Sequence, residues 1–536
     1  MPSKEWKYKI GQMMVFGFKA DQTSSLSPAI AQLIKEYSVG GVILFGRNIG
    51  MPEELLALTT KLQAWAQQSG HQKPLFICTD QENGAVRRLG EGTTVFPGAM
   101  LLGAADDVLL AEEIGMLTGK ELKALGINWN LAPTVDVNNN PNNPVIGVRS
   151  FGEDASRVSQ LSCSWMKGIQ KAGVISTIKH FPGHGDTVID SHLALPTIHH
   201  SMERLVKVEL KPFQMCIDAG ADIVMTSHIH FPALESRAQI PATLSYSVMT
   251  ELLRNQLGFR GVTTTDCLEM DAISKTIGTA RGAVEAIKAG VDLIMISNLP
   301  ELQYEALEEI YHAFDQGELT KEMIDSSYQR IQLLKQRYLN WTEQDLTPFK
   351  IPRFVGSEQH QKKALQAMKQ GITLVENKQL LPLSVDGNDR VLVVYPEYSY
   401  LTRVEDQRFK MDALSEEIKK IDRHAQAFMM PIEDSKRYLE GLLKEANQVD
   451  VIIIATISAV LSPQQQQYIK ALSTLNKKII GVACRVPYDR SIFPYVDAFL
   501  ATYEFNTSAL QIAARVIYGL SEVHGKLPVT IKNSPD

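Results

Sequence analysis

The chain has 536 residues, a length at which one hydrophobic core stops growing and two domains are expected. Hydrophobic residues at 44% and charged residues at 21% are ordinary globular values, and 35 Gly with 24 Pro are too few for a collagenous or low-complexity chain. A net charge of -6 without blocks of like charge argues against a concentrated basic surface, so a small neutral or mildly acidic ligand is expected and a nucleic acid is not.

Residues 1 to about 340 alternate short β-branched apolar runs with longer amphipathic stretches, the pattern of repeated βα units around a parallel sheet. In chain order the expected strands are QMMVFGF (12–18), GGVILFG (40–46), PLFICTD (74–80), INWNLAPTVDV (127–137), GVISTIKHF (173–181), ADIVMTSHIH (221–230), GVTTTD (261–266) and VDLIMIS (291–297). Eight such units close a (β/α)8 barrel. Arg47, Asn48, Asp80, Gln81, Asp136, Lys179, His180, His228, His230 and Asp266 fall at or just past strand C-termini, the face on which such barrels carry their active sites.

The stretch TEQDLTPFKIPRF (342–354) breaks the pattern with two prolines and mixed charge and reads as a linker. The expected division is therefore a barrel over 1–341, a linker over 342–358 and a second domain over 359–536. Helical pattern resumes in GSEQHQKKALQAMKQGITLVENK (356–378). Buried strands are expected at VLVVYP (391–396), DVIIIAT (450–456), KIIGVACR (478–485) and DAFLATY (497–503), making an open doubly wound α/β sandwich. No G-x-G-x-x-G follows a strand and no Walker A sequence occurs, so no nucleotide cofactor is expected.

Cys78, Cys163, Cys216, Cys267 and Cys484 are scattered, odd in number and free of C-x-x-C spacing, which suits a reducing compartment. The opening MPSKEWKYKIGQMMVFGF lacks an apolar h-region with a cleavage site, and no apolar run reaches the roughly 18 residues of a membrane helix. A cytoplasmic location without membrane partners is expected, although a form trimmed of a signal peptide reads the same.

Two regions carry the residues that glycoside cleavage needs, an acid on one side of the bond and a carboxylate on the other. Asp266 ends the strand GVTTTD ahead of CLEMDAI, where a carboxylate can be held rigidly at the barrel mouth; an isolated Asp there also reads as a helix N-cap. The second region is KHFPGHGDTVIDSH (179–192), whose two glycines and proline make a tight loop. Asp190 and His192 stand two apart, so in an extended loop both can lie on one side, the carboxylate fixing the imidazole tautomer and raising its basicity. The alternative for this loop is a metal site of His180, His184 and Asp186, which matches no standard zinc spacing.

With these motifs the chain resembles, over almost its whole length, a family 3 glycoside hydrolase of the bacterial β-N-acetylglucosaminidase (β-hexosaminidase) type in its two-domain form. The long loop carries the resemblance, with TDQE (79–82), RSFG (149–152), TDCLEM (265–270) and the terminal GKLPVTI in support. The resemblance implies Asp266 as nucleophile, His192 as acid/base with Asp190 as its partner, and Asp80, Arg88, Arg149, Lys179 and His180 as holders of the sugar hydroxyls. It implies no cofactor or metal, and as substrate a glycoside bearing terminal N-acetylglucosamine, such as a muropeptide or other cell-wall fragment in peptidoglycan recycling. Where similar enzymes read D-Q-E-G-G-R-V-x-R this chain reads DQENGAVRR, with Asn83 and Ala85 in place of Gly and Arg, and Arg88 keeps its position relative to Asp80. A phosphorylase using the same residues and a non-catalytic carbohydrate-binding protein are the competing expectations. His228 and His230 read equally as structural or mouth-lining, and NNNPNNPVIG as turns that position Arg149.

Overall fold

A computed structural model of the chain describes residues 2–19, 26–188, 195–341, 350–385, 389–397, 405–406, 408, 410–431 and 435–532. All eight runs expected in the first part are strands: β1 (Met14–Phe16), β2 (Gly41–Ile43), β3 (Phe76–Thr79), β4 (Trp129–Asn130), β5 (Thr177–Phe181), β6 (Ile223–Thr226), β7 (Val262–Thr264) and β8 (Ile294–Ile296). Five pair in the order β4-β3-β2-β1-β8 and three as β5-β6-β7, all parallel. Bridges Trp129↔Ile175 and Thr134↔Lys179 join β4 to β5, and Thr264↔Leu293 joins β7 to β8, so the ring closes. Every strand residue is buried, as expected of parallel strands covered on both faces.

Local chemistry starts the intervening helices. Ser27, Asp154 and Thr320 cap helices Pro28–Tyr37, Ala155–Lys171 and Lys321–Tyr338 by accepting from Ile30, Arg157 and Met323 backbone N–H groups. The last of these helices locks the ring where its ends meet. Buried Lys335 donates to Gln12 Oε1 at 3.0 Å and to the Gly40 carbonyl at 2.9 Å, and Arg330 pairs with Asp292 ahead of β8 at 2.7 Å.

The second sheet has the order β11-β10-β12-β13-β14-β9, built from β9 (Thr373–Asn377), β10 (Val391–Pro396), β11 (Gln426–Met430), β12 (Val451–Thr456), β13 (Lys478–Ala483) and β14 (Ala498–Ala501). Only β9 runs antiparallel, and helices cover both faces. The four expected strands are all present. Over 356–378 the expected helix stops at Gly371 and the chain turns into β9, while β11 was not anticipated.

The two parts share apolar packing. Ala85, Met100, Leu101, Ala104 and Val148 of the first lie in one core with Met368, Tyr503, Phe505 and Leu510 of the second. Gly371 permits this approach, since a Cβ there would come within 2.2 Å of the Leu101 carbonyl oxygen. A buried carboxyl group also crosses the contact: Glu504 accepts from the Gly98 backbone N–H and the Asn506 amide.

Burial pushes the Glu504 carboxyl up to about 8, its hydrogen bonds offsetting only part of the effect. The folded chain therefore holds this proton more tightly than the unfolded chain, whose Glu titrates near 4.5. Its contribution to stability is full below 4.5, declines as pH rises toward 8 and levels off above. Relative to wild type, Glu504→Gln should accordingly gain thermal stability between pH 5 and pH 8, measured by calorimetry at both values; a Tm difference independent of pH would contradict this.

Candidate active site

The C-terminal mouth of the barrel opens into a cleft of about 540 Å³ lined by Asp80, Arg149, Lys179, His180 and Asp266, with Phe45, Arg47, Leu131, Met225 and Met295 among the remaining wall. Five of the eight residues singled out from sequence thus line one cavity. Arg88 lies behind it, buried, with its charge facing Asp80 and Glu82. Asp190 and His192 lie outside the described residues.

The cleft floor is a chain of charges, all buried except the partly exposed Asp80, drawn from the end of β3, from β5 and from the long turn after β4. Arg149 forks onto Glu82, Nε to Oε2 and Nη2 to Oε1 both at 2.8 Å. Lys179 Nζ sits 2.7 Å from Glu82 Oε1 and donates to Asp80 Oδ1 at 2.8 Å. Burial acts to raise the Glu82 carboxyl, but the Arg149 and Lys179 charges outweigh it and hold the group far below the carboxylate range. Burial likewise opposes the charged forms of Arg149 and Lys179, and their acidic partners outweigh it, so both keep their protons more firmly than usual. Asp80, Lys179 and Arg149 are thereby fixed as rigid donors and acceptors facing the cleft, with Glu82 behind them as their shared partner.

Lys179 and His180 are consecutive in β5, and in a regular strand they would face opposite ways. The pairing of β5 with β6 slips by one residue between Ile178 and Phe181, and such a bulge re-aims side chains, which accounts for both reaching the cleft. Asp136, just past β4, then holds His180. Its Oδ2 lies 2.8 Å from His180 Nδ1, and its Oδ1 accepts from His184 N at 2.6 Å, which leaves Nε2 toward Arg149 at 3.4 Å.

The described start of the loop that follows is closely packed as far as Gly185. A Cβ at Gly185 would overlap the Val137 carbonyl oxygen at 1.7 Å, so glycine is required there. The three side chains of the metal alternative go to three different partners: His180 to Asp136, His184 Nδ1 to Thr187 Oγ1 at 2.9 Å, and Asp186 to His200 Nε2 at 2.6 Å. Burial lowers His184 to about 4, which keeps it neutral. Asn143 donates to the His184 carbonyl at 2.9 Å and accepts from Val145 and Ile146, so the Asn-rich stretch braces both this loop and the turn that carries Arg149.

Asp266 follows β7, and the N-cap alternative does not hold: the next helix begins at Asp271 with Met270 as its N-cap residue. The other carboxylate of this stretch, Glu269, accepts from the backbone N–H groups of Ser297, Asn298 and Leu299 at 2.7 to 2.9 Å and so ties the turn after β7 to the turn after β8. His228 bridges Thr243 Oγ1 and the Cys267 carbonyl at 2.8 and 3.1 Å, and His230 meets the Ile240 carbonyl at 3.0 Å, so both are structural. Glu82 and Asp136 were visible in sequence only as a letter of TDQE and as a polar strand end.

The substitutions within DQENGAVRR also acquire reasons. Asn83 occupies a left-handed backbone position, φ 70°, which Asn tolerates better than other side chains, and it is held by Thr118 Oγ1 at 3.0 Å. Ala85 joins the apolar core shared with the second domain.

A closed parallel barrel with a sugar-sized, charge-lined cleft at its C-terminal mouth fits a carbohydrate-active hydrolase, and comparison with known proteins agrees. Residues 6–334 match the model of the glycosyl hydrolase family 3 N-terminal domain. The chain is 34% identical over 95% of its length, and 92% of the relative's, to a Beta-hexosaminidase A of Pseudoalteromonas piscicida. A Beta-hexosaminidase of Methylobacillus flagellatus is 34% identical over 51% of this chain and 78% of its own. A glycoside hydrolase family 3 beta-N-acetylglucosaminidase structure from Paenibacillus sp. superimposes with a TM-score of 0.92 at 38% identity, covering 99% of each chain. The chain belongs to glycosyl hydrolase family 3 and is a glycoside hydrolase.

Removing the central anion of the cleft floor would leave two buried cations without their shared partner. Glu82→Ala should therefore cost about 3–5 kcal/mol of unfolding free energy, read from urea denaturation, and a loss below about 1 kcal/mol, the worth of an exposed pair, would show the network to be solvated.

Proposed function

We propose that the enzyme removes terminal N-acetylglucosamine from the non-reducing end of a β-glycoside with retention of configuration. The observation that carries this reading is the convergence of Asp80, Arg149, Lys179, His180 and Asp266 on one cleft in a chain that shares 34% identity over 95% of its length with a β-hexosaminidase. In this reading Asp80, Arg88, Arg149, Lys179 and His180 hold the hydroxyls of the terminal sugar. Asp266 attacks C1 as protonated His192 gives its proton to the departing oxygen, and a glycosyl-enzyme forms. His192, oriented by Asp190, then takes a proton from water, which opens that intermediate from the opposite side. Two inversions at C1 return the β configuration. The natural substrate in this reading is a muropeptide or related cell-wall fragment, and the enzyme meets it in the cytoplasm.

Asp266→Asn should lose turnover of an aryl N-acetyl-β-glucosaminide while keeping a folded barrel by circular dichroism; full activity in that variant would remove Asp266 from the nucleophile's role. Proton NMR of the first product should show the β anomer of free N-acetylglucosamine in phosphate buffer. The α anomer would overturn retention, and a sugar 1-phosphate as main product would make the enzyme a phosphorylase.

A further inference from the structure

The second domain reaches the barrel mouth at the turn after β3. Asp406 N donates to the Ala85 carbonyl at 2.8 Å, and Arg408 Nη2 donates to the Arg87 carbonyl at 3.3 Å. The Asp406 carboxylate is buried, its side chain 2% exposed. Arg408 forks onto it through Nε at 2.8 Å and Nη2 at 2.7 Å, and Arg87 Nη1 stands 3.9 Å from Oδ2. Arg88, the next residue, is buried as well, with its N–H bonded to Gln81 Oε1 at 2.9 Å. The acidic groups whose charges favour its charged form are Asp80 and Glu82 of the barrel and Asp406 of the second domain.

Two guanidinium groups thus meet this carboxylate, Arg408 as a fork and Arg87 at 3.9 Å, and Arg88 follows Arg87 directly in the turn they hold. On the barrel side the anions are already engaged, Asp80 by Lys179 and Glu82 by Arg149 and Lys179. Asp406 comes from outside the barrel; it orients Arg408, which donates to the Arg87 carbonyl, and stands beside the Arg87 guanidinium. A buried guanidinium without a matched anion drifts toward water, because its desolvation has nothing to offset it. The same segment grips the backbone on both sides of Val86, at Ala85 and at Arg87.

We propose that Asp406 is a positioning residue of the sugar site: a carboxylate supplied by the second domain that, by orienting Arg408 and standing beside Arg87, holds the turn carrying Arg88 in register with Asp80, so that both domains build one binding site. The inference rests on the reading of Arg88 as a sugar-binding residue. It assigns the second domain a part in substrate affinity in addition to stability.

The full-length enzyme tests it with an aryl N-acetyl-β-glucosaminide. Asp406→Asn keeps the backbone N–H and the side-chain shape and removes the charge; KM should rise by roughly tenfold with kcat little changed, the signature of lost binding common to ground and transition states. Asp406→Glu, which keeps the charge, should return KM toward the wild-type value and serves if Asp406→Asn does not fold. Glu504→Gln alters another buried carboxyl at the domain contact, one that packs by Gly84 of the same turn but bonds to the Gly98 N–H and the Asn506 amide, and should leave KM unchanged. A wild-type KM in Asp406→Asn, or an equal rise in Glu504→Gln, would overturn the proposal, the second because domain docking alone would then explain it. Arg88→Lys separates the two layers: a wild-type KM there removes the reading of Arg88 and the inference with it. A raised KM there beside a wild-type KM in Asp406→Asn removes the inference alone.

Discussion

Everything at the barrel mouth depends on one buried arrangement, the chain of opposite charges from Asp80 through Lys179 and Glu82 to Arg149. Taking four charged groups out of water is unfavourable unless each is matched at close range. The match here requires side chains from the ends of β3 and β5 and from the long turn after β4 to meet within hydrogen-bonding distance. That condition dictates the bulge in β5, the brace of Asn143 under the Arg149 turn and the clamp of Asp136 on His180. A sugar presents hydroxyls with little charge of its own, so a site that binds it needs donors and acceptors already fixed in place. The salt-bridge chain achieves this by exhausting the freedom of its members before any ligand arrives.

The turn after β7 follows the same logic with different means. Glu269 satisfies three backbone N–H groups of the turn after β8 and so makes one rigid unit of the two turns on either side of it. Asp266 is mounted on that unit, its Oδ1 receiving the Cys267 N–H at 2.7 Å. Both carboxylates, three residues apart, line the cleft, and Glu269 also serves as scaffold through its bonds to the neighbouring turn.

How legible each feature was in sequence follows from how deeply it is buried. The barrel strands and the four central strands of the second sheet are covered on both faces, and full burial writes most of them as short apolar, β-branched runs, VIIIAT of β12 the plainest. The two that escaped, β9 (TLVEN) and β11 (QAFMM), are the edges of their sheet, partly exposed and of mixed composition. β9 also follows its helix after a single residue, so no turn signal separates them. In the site, Lys179, His180 and Asp266 were legible because their neighbours form dense local motifs. Asp136 was legible only as a polar strand end and Glu82 only as a letter of TDQE, since their roles arise from meeting His180, Arg149 and Lys179 across the barrel. Asp406 sits in a stretch with no motif at all.

The apolar core shared between the barrel and the second sheet bears on how such chains can be recombined. Met100, Leu101 and Ala104 present a greasy helix face to the second domain, and Ala85 and Val148 extend it. A barrel cut free from this chain would expose that face as a sticky patch. The contact therefore acts as a lock on modular exchange: shuffling either half requires recoding these positions together with the Asp406 and Glu504 contacts, so the two halves are bound to diverge as a pair.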